Sequence, residues 1–214
     1  METLNYTALL TDVQRYIERG AAADVTVYEQ IPRLINQAER AIATALKIQG
    51  FINVVTASLT AGTSVYDKPD RWRATVSMHY GSGETREVRK QLYTRSYEYC
   101  RAYWPDATQV GAPKYYADYD YNHWLIVPTP SITIPWEVVY YEMPPLLGED
   151  NQTNWLTDFA PNLLLYRTLL ECAPFLGSDD RINTWQGFYT EQLGSISDQD
   201  VKKIVDRNSV RRGA

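Results

Sequence analysis

The feature that most constrains the fold is a change of hydrophobic periodicity that occurs twice along the chain. Apolar residues recur at helical spacing up to residue 50 and alternate as in strands through a long tyrosine-rich middle. They return to helical spacing from about residue 154. Helical segments that flank a run of strands are typical of an α+β protein. The sequence therefore predicts an α+β fold, with a helical bundle formed by N- and C-terminal helices and an inserted antiparallel β-sheet or sandwich region.

The same pattern predicts the division of the chain into parts. Residues 1–50 and 154–206 form the predicted helical part, and residues 51–153 form the inserted β-rich part. Residues 207–214 form a short basic C-terminal tail. No internal repeat or low-complexity segment suggests a different organisation.

Two helices are predicted in the N-terminal part. The first covers residues 4–19. The second opens on Thr26 and Glu29, which have the spacing of a capping box, and its apolar stripe ends before Gly50. Proline is tolerated in the first turn of a helix, so Pro32 is expected near the start of this second helix.

Several strands are predicted in the middle of the chain. The turn 81–83 leads into a strand at 86–88, and a short helix is expected over 94–103. The turn at 121–123 joins two strands into a hairpin. The remaining strand predictions rest on β-branched and aromatic residues in alternation and cover 54–59, 72–80, 114–120, 124–127 and 136–141.

The C-terminal part reopens with a further helix. Thr157 or Asp158 is expected to cap a helix over residues 160–175, because both side chains can accept from the first free N–H groups. Pro174 is expected to kink or end that helix.

The aromatic composition is unusual, with 17 Tyr and 6 Trp against 4 Phe. Tyr and Trp combine a large apolar area with one polar atom, which suits contacts between proteins, but they also suit the faces of a sheet. Both interpretations stay open from the sequence. The net charge of −5 argues against a broad nucleic-acid-binding surface, because phosphates are neutralised by clustered Lys and Arg.

Cysteine usage and hydropathy indicate a cellular compartment. Cys100 and Cys172 lie far apart without metal-type spacing, so a single disulfide is possible but free thiols in a reducing cytoplasm fit better. The first residues lack the basic and apolar regions of a signal peptide, and no apolar run reaches the length of a membrane span. We expect a soluble protein made in a cytoplasm, without contact to a membrane.

No arrangement of residues predicts catalysis, a cofactor or a metal site. His79 and His123 lie on or beside strands, and His123 is expected in a turn with unusual backbone angles. Glu137 and Glu142 flank one strand, and a solvated role is favoured over a hydrolytic carboxylate pair. A hydrolase remains a minor hypothesis, in which changing Glu137 or Glu142 would abolish turnover without unfolding the protein.

The end of the chain concentrates positive charge. A solvated helix face with a frayed terminus explains the pattern, and so does a tail that docks into an acidic groove of a partner. The candidate docking residues are Lys202, Lys203, Arg207, Arg211 and Arg212.

Three segments occur in the same order as in a known family. They are Ala38-Glu39-Arg40-Ala41-Ile42, Asp67-Lys68-Pro69-Asp70-Arg71-Trp72 and Asn154-Trp155-Leu156-Thr157 with the following Ala160-Pro161 and Leu164-Leu165-Tyr166. Together with the order of helical and β pieces, they resemble the head-to-tail adaptor (connector) proteins of tailed bacteriophages, a family that includes head completion proteins and tail tubular protein A. The likeness covers roughly residues 6–206.

The resemblance implies a non-enzymatic virion protein at the head–tail interface, or neck. It implies a homo-oligomeric ring, in this family typically a dodecamer, bound beneath the portal protein and linked to tail or nozzle proteins. The helical part would lie near the portal and form the ring wall, and the β-rich part would project toward the tail. Genomic DNA would pass through the ring without specific binding, and the basic tail would reach the portal.

An alternative from another class is a carbohydrate-binding β module of a tail or surface protein. Trp124, Trp136 and the tyrosines between Tyr115 and Tyr121 could form a platform on which sugars stack. The flanking helices count against this alternative, because such a module would be mostly β.

Overall fold

The computed structural model describes the backbone of residues 4–17, 25–81, 89–176 and 180–209, and the side chains of the same residues except 25, 26 and 200–209. The chain forms two compact units. The helical unit comprises Met1–Phe51 and Met143–Ala214, and the β unit comprises Ile52–Glu142. The segment 143–153, which the sequence assigns to the β-rich part, belongs to the helical unit.

Most helices belong to the helical unit, and one belongs to the β unit. In chain order they are α1 (Tyr6–Ile17), α2 (Val25–Ala45), a 3₁₀ turn (Gln49–Phe51), α3 of the β unit (Tyr97–Tyr103), α4 (Trp155–Phe159), α5 (Pro161–Leu176) and α6 (Arg181–Ser209). The α+β class that the sequence predicts is confirmed.

The helical unit is packed around α5, which contacts α1, α2 and α6. The apolar stripe predicted for α2 is buried, and so are Leu9, Val13 and Ile17 of α1, whereas Tyr16 is exposed. Helix α5 adds leucines to the same core. Burying one such aliphatic side chain stabilises the fold by about 1.5–3 kcal/mol. The residues of this core include Leu9, Val13, Ile17, Ile31, Ile35, Ile42, Leu163, Leu164 and Leu169.

Two predictions about helix starts are wrong. The second helix begins at Val25, so Pro32 lies in its interior rather than in its first turn. Neither Thr157 nor Asp158 caps the helix over 160–175, because a separate short helix, α4, precedes it. The N-cap of α4 is Asn154, which accepts from the N–H groups of Leu156 and Thr157, while the Thr157 hydroxyl accepts from the Asn154 N–H. This reciprocal pair is a capping box.

The β unit contains nine strands within the described residues. They are β1 (Ile52–Leu59), β2 (Val65–Asp67), β3 (Trp72–Tyr80), β4 (Lys90–Thr94), β5 (Val110–Gly111), β6 (Tyr115–Asp118), β7 (His123–Val127), β8 (Thr129–Pro130) and β9 (Ile134–Glu142). The hairpin predicted around 121–123 is confirmed as β6 and β7. The strand predicted at 86–88 lies outside the described residues.

The sheet is mixed, so the prediction of a purely antiparallel sheet is wrong. Seven strands lie in the order β1-β9-β3-β4-β6-β7-β2, and β5 pairs with β8 separately. The pairs β4–β6 and β5–β8 are parallel. A crossover that contains a helix returns the chain in the same direction, and α3 lies in the connection between β4 and β6. The connection through α3 therefore accounts for the parallel direction of this pair.

The core of the β unit is dominated by aromatic side chains. Trp124 is fully buried and lies edge-on to Trp72 and Trp136, with ring centroids 6.2 and 5.8 Å apart. The indole N–H groups of Trp72 and Trp124 both donate to the Thr75 hydroxyl, at 3.2 and 3.1 Å. These bonds satisfy two of the three indole N–H groups, whereas the buried N–H of Trp136 has no hydrogen-bond partner among the described residues.

Candidate interaction surfaces

A surface of alternating arginine and tyrosine covers α3 and the adjacent strand β6. The helix is held onto the sheet by Cys100, which is buried with Ala117, Leu125 and Val127. Two arginines and four tyrosines lie around this helix, and we call them the arginine–tyrosine face: Arg95, Tyr97, Tyr99, Arg101, Tyr115 and Tyr119. Tyr99 and Tyr115 are partly buried against the Cys100 cluster, whereas Tyr97 and Tyr119 are exposed.

Ring contacts order this face. Tyr97 lies edge-on to Tyr119 with centroids 5.7 Å apart, and Tyr99 lies edge-on to Tyr115 at 5.9 Å. The Arg95 guanidinium lies 5.6 Å from the Tyr99 ring and 5.5 Å from the Tyr115 ring. Arg101 takes the same position between Tyr97 and Tyr119, at 5.6 and 6.0 Å. Each arginine is therefore held between two tyrosine rings, an arrangement worth about 0.5–1 kcal/mol per contact at an exposed site.

The arginines of this face have no counter-ion within the part of the chain that the structure describes. Among the described residues, no carboxylate lies within ion-pair distance of Arg95 or Arg101. Two more cations, Lys90 and Lys114, line a shallow pocket beside Tyr115. The face therefore carries unpaired positive charge on a chain whose net charge is negative.

The segment from Asp67 to Trp72 forms a different, internally satisfied rim of the β unit. The Lys68 ammonium is 2.7 Å from an Asp118 carboxylate oxygen, donates to the Asp120 carbonyl and lies 3.8 Å from the Trp72 ring centre. Its side chain is only 3% exposed, so these contacts replace its hydration. Lys68 therefore stabilises this corner instead of offering a free charge to a partner.

Arg71 anchors the far end of β9. It adopts a left-handed backbone with φ of 59°. Its guanidinium donates to Glu142 at 2.9 and 2.5 Å, and the Asn53 amide donates to the other Glu142 oxygen at 2.7 Å. A non-glycine residue in this region of φ is uncommon, and here the charged bonds hold it.

A buried carboxylate joins distant segments of the helical unit. Glu39 of α2 is 0% exposed and accepts from the Leu147 N–H at 3.0 Å and from the Asn154 amide at 2.5 Å. The same Asn154 is the N-cap of α4 and also donates to the Pro145 carbonyl. Burial raises the pKa of the Glu39 carboxyl, and its two hydrogen bonds oppose that rise only in part. We call Glu39, Asn154 and the Leu147 N–H the polar connector.

The helical unit also exposes aromatic side chains. Tyr16 and Phe188 are 42% and 44% exposed, and Phe188 packs on Tyr166 with centroids 5.1 Å apart. These rings line one groove, into which the Arg181 side chain extends to donate to the Tyr16 carbonyl at 3.0 Å. An exposed apolar groove of this kind is typical of a contact with another protein.

A second aromatic pair lies beside the 3₁₀ turn. Phe159, 71% exposed, stacks on Trp155 with centroids 5.6 Å apart. A Cβ atom at Gly50 would lie 2.2 Å from the Trp155 indole nitrogen, so only glycine fits beneath this ring. The helical unit therefore presents two separate exposed aromatic surfaces.

Residues 4–213 match the family described as SU10 adaptor protein. The chain belongs to this family. The match covers nearly the whole chain and is consistent with the phage adaptor that the sequence resembles, and it indicates a structural rather than an enzymatic protein. No protein in the curated set matches the chain.

The polar connector brings together two of the segments through which the sequence resembles the phage adaptors. Glu39 lies in the first of them and Asn154 opens the last. The sequence did not predict this contact, because the two residues are separated by more than a hundred positions. A glutamate in the middle of an otherwise apolar helix stripe was the available signal, since an acid is almost never fully buried unless it is paired.

In this SU10 adaptor family member, the basic residues predicted to dock on a portal lie near the end of the described backbone or beyond it. The backbone of Lys202, Lys203 and Arg207 is helical within α6, and their side chains are outside the described residues. Arg211 and Arg212 lie outside the described residues altogether. Their docking role stays a prediction.

The tryptophans proposed as a sugar platform are not available at the surface. Trp124 is 0% and Trp136 is 6% exposed, and both belong to the aromatic core. Tyr119 and Tyr121 are exposed, at 44% and 79%, but Tyr116 is buried. A platform that requires both tryptophans would need the core of the β unit to open.

The two glutamates of the hydrolase hypothesis bond to different arginines. Glu137 accepts from Arg89 at 3.3 Å, whereas Glu142 accepts from Arg71. They are five positions apart on β9, so they lie on opposite faces of the strand and about 16 Å apart along it. This geometry does not bring them together as a catalytic pair.

The histidines have structural surroundings. His79 lies within β3, as predicted. His123 opens strand β7 instead of lying in a turn, and its ring nitrogens contact Asp120 at 2.7 Å and Asp67 at 3.2 Å. Its φ angle is not in the positive range, which among the described non-glycine residues is adopted by Arg71. The described part of the chain contains no group of three or more potential metal ligands.

The cysteines are buried free thiols in different units, Cys100 in the β unit and Cys172 in the helical unit. Burial raises the pKa of the Cys172 thiol to about 12, so it is protonated and unreactive at neutral pH. None of the helices in the described ranges is long and apolar enough to cross a membrane.

Proposed function

We propose that this protein is a structural adaptor of a bacteriophage virion that forms a homo-oligomeric ring, a dodecamer, beneath the portal protein at the neck. The ring links the portal to tail and nozzle proteins and lines the channel through which the genome leaves. The match to the SU10 adaptor protein family over residues 4–213 carries this proposal, since it spans both the helical and the β units.

The two units divide the contacts in this proposal. The helical unit forms the ring wall close to the portal, and the β unit projects toward the tail. A closed ring needs heterologous contacts, in which one surface of a copy meets a different surface of its neighbour. The two separate aromatic surfaces of the helical unit, around Phe188 and Phe159, support such contacts.

DNA passes through the ring without specific binding. The net charge of −5 disfavours retention of phosphates on the channel wall. The basic residues Lys202, Lys203, Arg207, Arg211 and Arg212 form a tail that docks on the portal by charge attraction.

The experiment that tests this function measures the mass of the purified protein with and without the purified portal, by light scattering. We expect a ring-sized complex when both are present. Deletion of residues 208–214 is the matched variant: we expect the fold to persist and portal attachment to weaken. Portal binding that is absent from the full chain would overturn the adaptor function, and unchanged binding by the truncated chain would overturn the docking role of the tail.

A further inference from the structure

The arginines of the arginine–tyrosine face differ in their partners from three other cations of the β unit. Lys68, Arg71 and Arg89 each contact a carboxylate within the same unit. Arg95 and Arg101 contact tyrosine rings but no carboxylate among the described residues. Both guanidinium groups lie 5.5–6.0 Å from the ring centres, and among the described residues no carboxylate accepts from their N–H groups.

Contacts with tyrosine rings restrict both arginine side chains. Each arginine lies between two rings that themselves touch, so its side chain loses little further freedom when a ligand binds. The helix beneath is fixed at its N-terminus, where the Ser96 hydroxyl accepts from the Tyr99 N–H at 3.2 Å. A planar, fixed guanidinium edge matches a carboxylate, to which it donates two parallel hydrogen bonds.

We propose that the arginine–tyrosine face docks an acidic segment of a different protein of the particle, a proposal that rests on the adaptor function above. Carboxylates of that segment bind Arg95 and Arg101, and its apolar atoms cover the exposed tyrosine rings. Tyr, Trp and Arg are the residues that dominate the binding energy of protein interfaces.

Charge complementarity selects this occupant over nucleic acid. A nucleic acid carries a phosphate at every nucleotide and needs a continuous basic track, which the exposed acids Glu98 and Asp118 interrupt. A peptide can place its carboxylates against the two arginines alone. Docking of a second copy of the chain on this face is the other outcome, which the test distinguishes by self-association.

The test measures binding of a fluorescent peptide of alternating glutamate and glycine to the full chain by anisotropy. A peptide of alternating glutamine and glycine is the neutral probe, and an oligothymidylate is the nucleic-acid probe. We compare the wild type with the double variant Arg95→Ala/Arg101→Ala. The control variant Arg15→Ala/Arg33→Ala removes the same charge from exposed positions of the helical unit.

We expect the double variant to bind the acidic peptide about tenfold or more weakly, and the control variant to bind it like the wild type. Arg95→Lys/Arg101→Lys should lose most of the affinity, because lysine keeps the charge without the planar edge. Equal binding by the wild type and the alanine variant would overturn the proposal. So would tighter binding of the oligothymidylate through the same arginines, or self-association that the alanine variant abolishes.

The outcome is separable from that of the adaptor function. The portal mass measurement uses contacts of the helical unit and the C-terminal tail, so we expect the alanine double variant to bind portal like the wild type. Failure of the wild type to bind portal would contradict the adaptor function, and the peptide affinities of the wild type and the variant could still be compared.

Discussion

The two units of this protein are stabilised by different chemistry. The helical unit contains a buried carboxylate, Glu39, that joins a helix to a loop and to the N-cap of another helix. The β unit contains a cluster of indole rings around Trp124 and keeps its ion pairs at the rim. The helical unit therefore has a carboxyl group at its centre, whereas the indole rings at the centre of the β unit carry no group that titrates near neutral pH.

The largest expected effect comes from removing the central ring of the β unit. Trp124→Ala leaves a cavity between Trp72 and Trp136, and we expect the free energy of unfolding to fall by about 4 kcal/mol. Urea unfolding followed by tryptophan fluorescence measures the change. Trp124→Phe, which keeps an aromatic ring, should lose about half as much, and equal losses for the two variants would contradict the packing account.

The next effect comes from the polar connector. Glu39→Ala leaves the Leu147 N–H and the Asn154 amide without their acceptor in a buried site, so we expect a loss of about 3 kcal/mol. Glu29→Ala removes an exposed acid from the same helix and should change stability by less than about 0.5 kcal/mol. A similar, small loss for both variants in urea unfolding would show that the connector is not structural.

The pH dependence of stability sharpens the contrast between the units. The pKa of Glu39 is raised in the folded protein, so protonation favours the folded state. Its contribution to stability is fully present below the unfolded glutamate pKa of about 4.3 and is lost as pH rises through the folded pKa. The stability of the wild type relative to Glu39→Gln should therefore increase as pH falls from neutrality toward that value.

Trp124→Phe provides the comparison for this titration. Its stability relative to the wild type should not change over the same range of pH, because no titratable group lies at the altered site. The measurement is a set of urea unfolding curves at several pH values. A difference between wild type and Glu39→Gln that is independent of pH would remove the distinction between the two units.

The smallest expected effect concerns the arginine–tyrosine face. Arg95→Ala/Arg101→Ala removes four cation–π contacts at the surface, each worth about 0.5 kcal/mol, so we expect the free energy of unfolding to fall by no more than about 2 kcal/mol. Thermal unfolding monitored by circular dichroism measures it. A loss as large as that of Glu39→Ala would assign these arginines to the fold and not to a surface for partners.

The order of helices and strands is predictable from periodicity, because the apolar pattern of a segment predicts the secondary structure of that segment. Asn154 as the cap of α4 was missed because two helices meet within one residue at Ala160, which leaves no gap in the apolar pattern. The parallel pairing of β4 and β6 was missed because pairing direction depends on the path of the connection. Both outcomes depend on contacts between segments, which local patterns do not encode.

The candidate surface was partly visible in the sequence. Residues 93–104 interleave tyrosines with Arg95 and Arg101, and a short helix was expected there. Nothing in the spacing showed that Tyr115 and Tyr119 of another strand complete the rings around the two arginines. For Trp124 and Trp136 the sugar-platform hypothesis requires exposed rings, but both are buried. An aromatic residue in a strand is compatible with either the core or the surface, so the pattern does not distinguish them.

The most direct test of the central claim is electron cryo-microscopy of the purified portal incubated with this protein. The adaptor account predicts a closed ring of copies on one face of the portal, with the helical units against the portal and the β units pointing away. Bare portal particles beside unassembled protein would contradict the account.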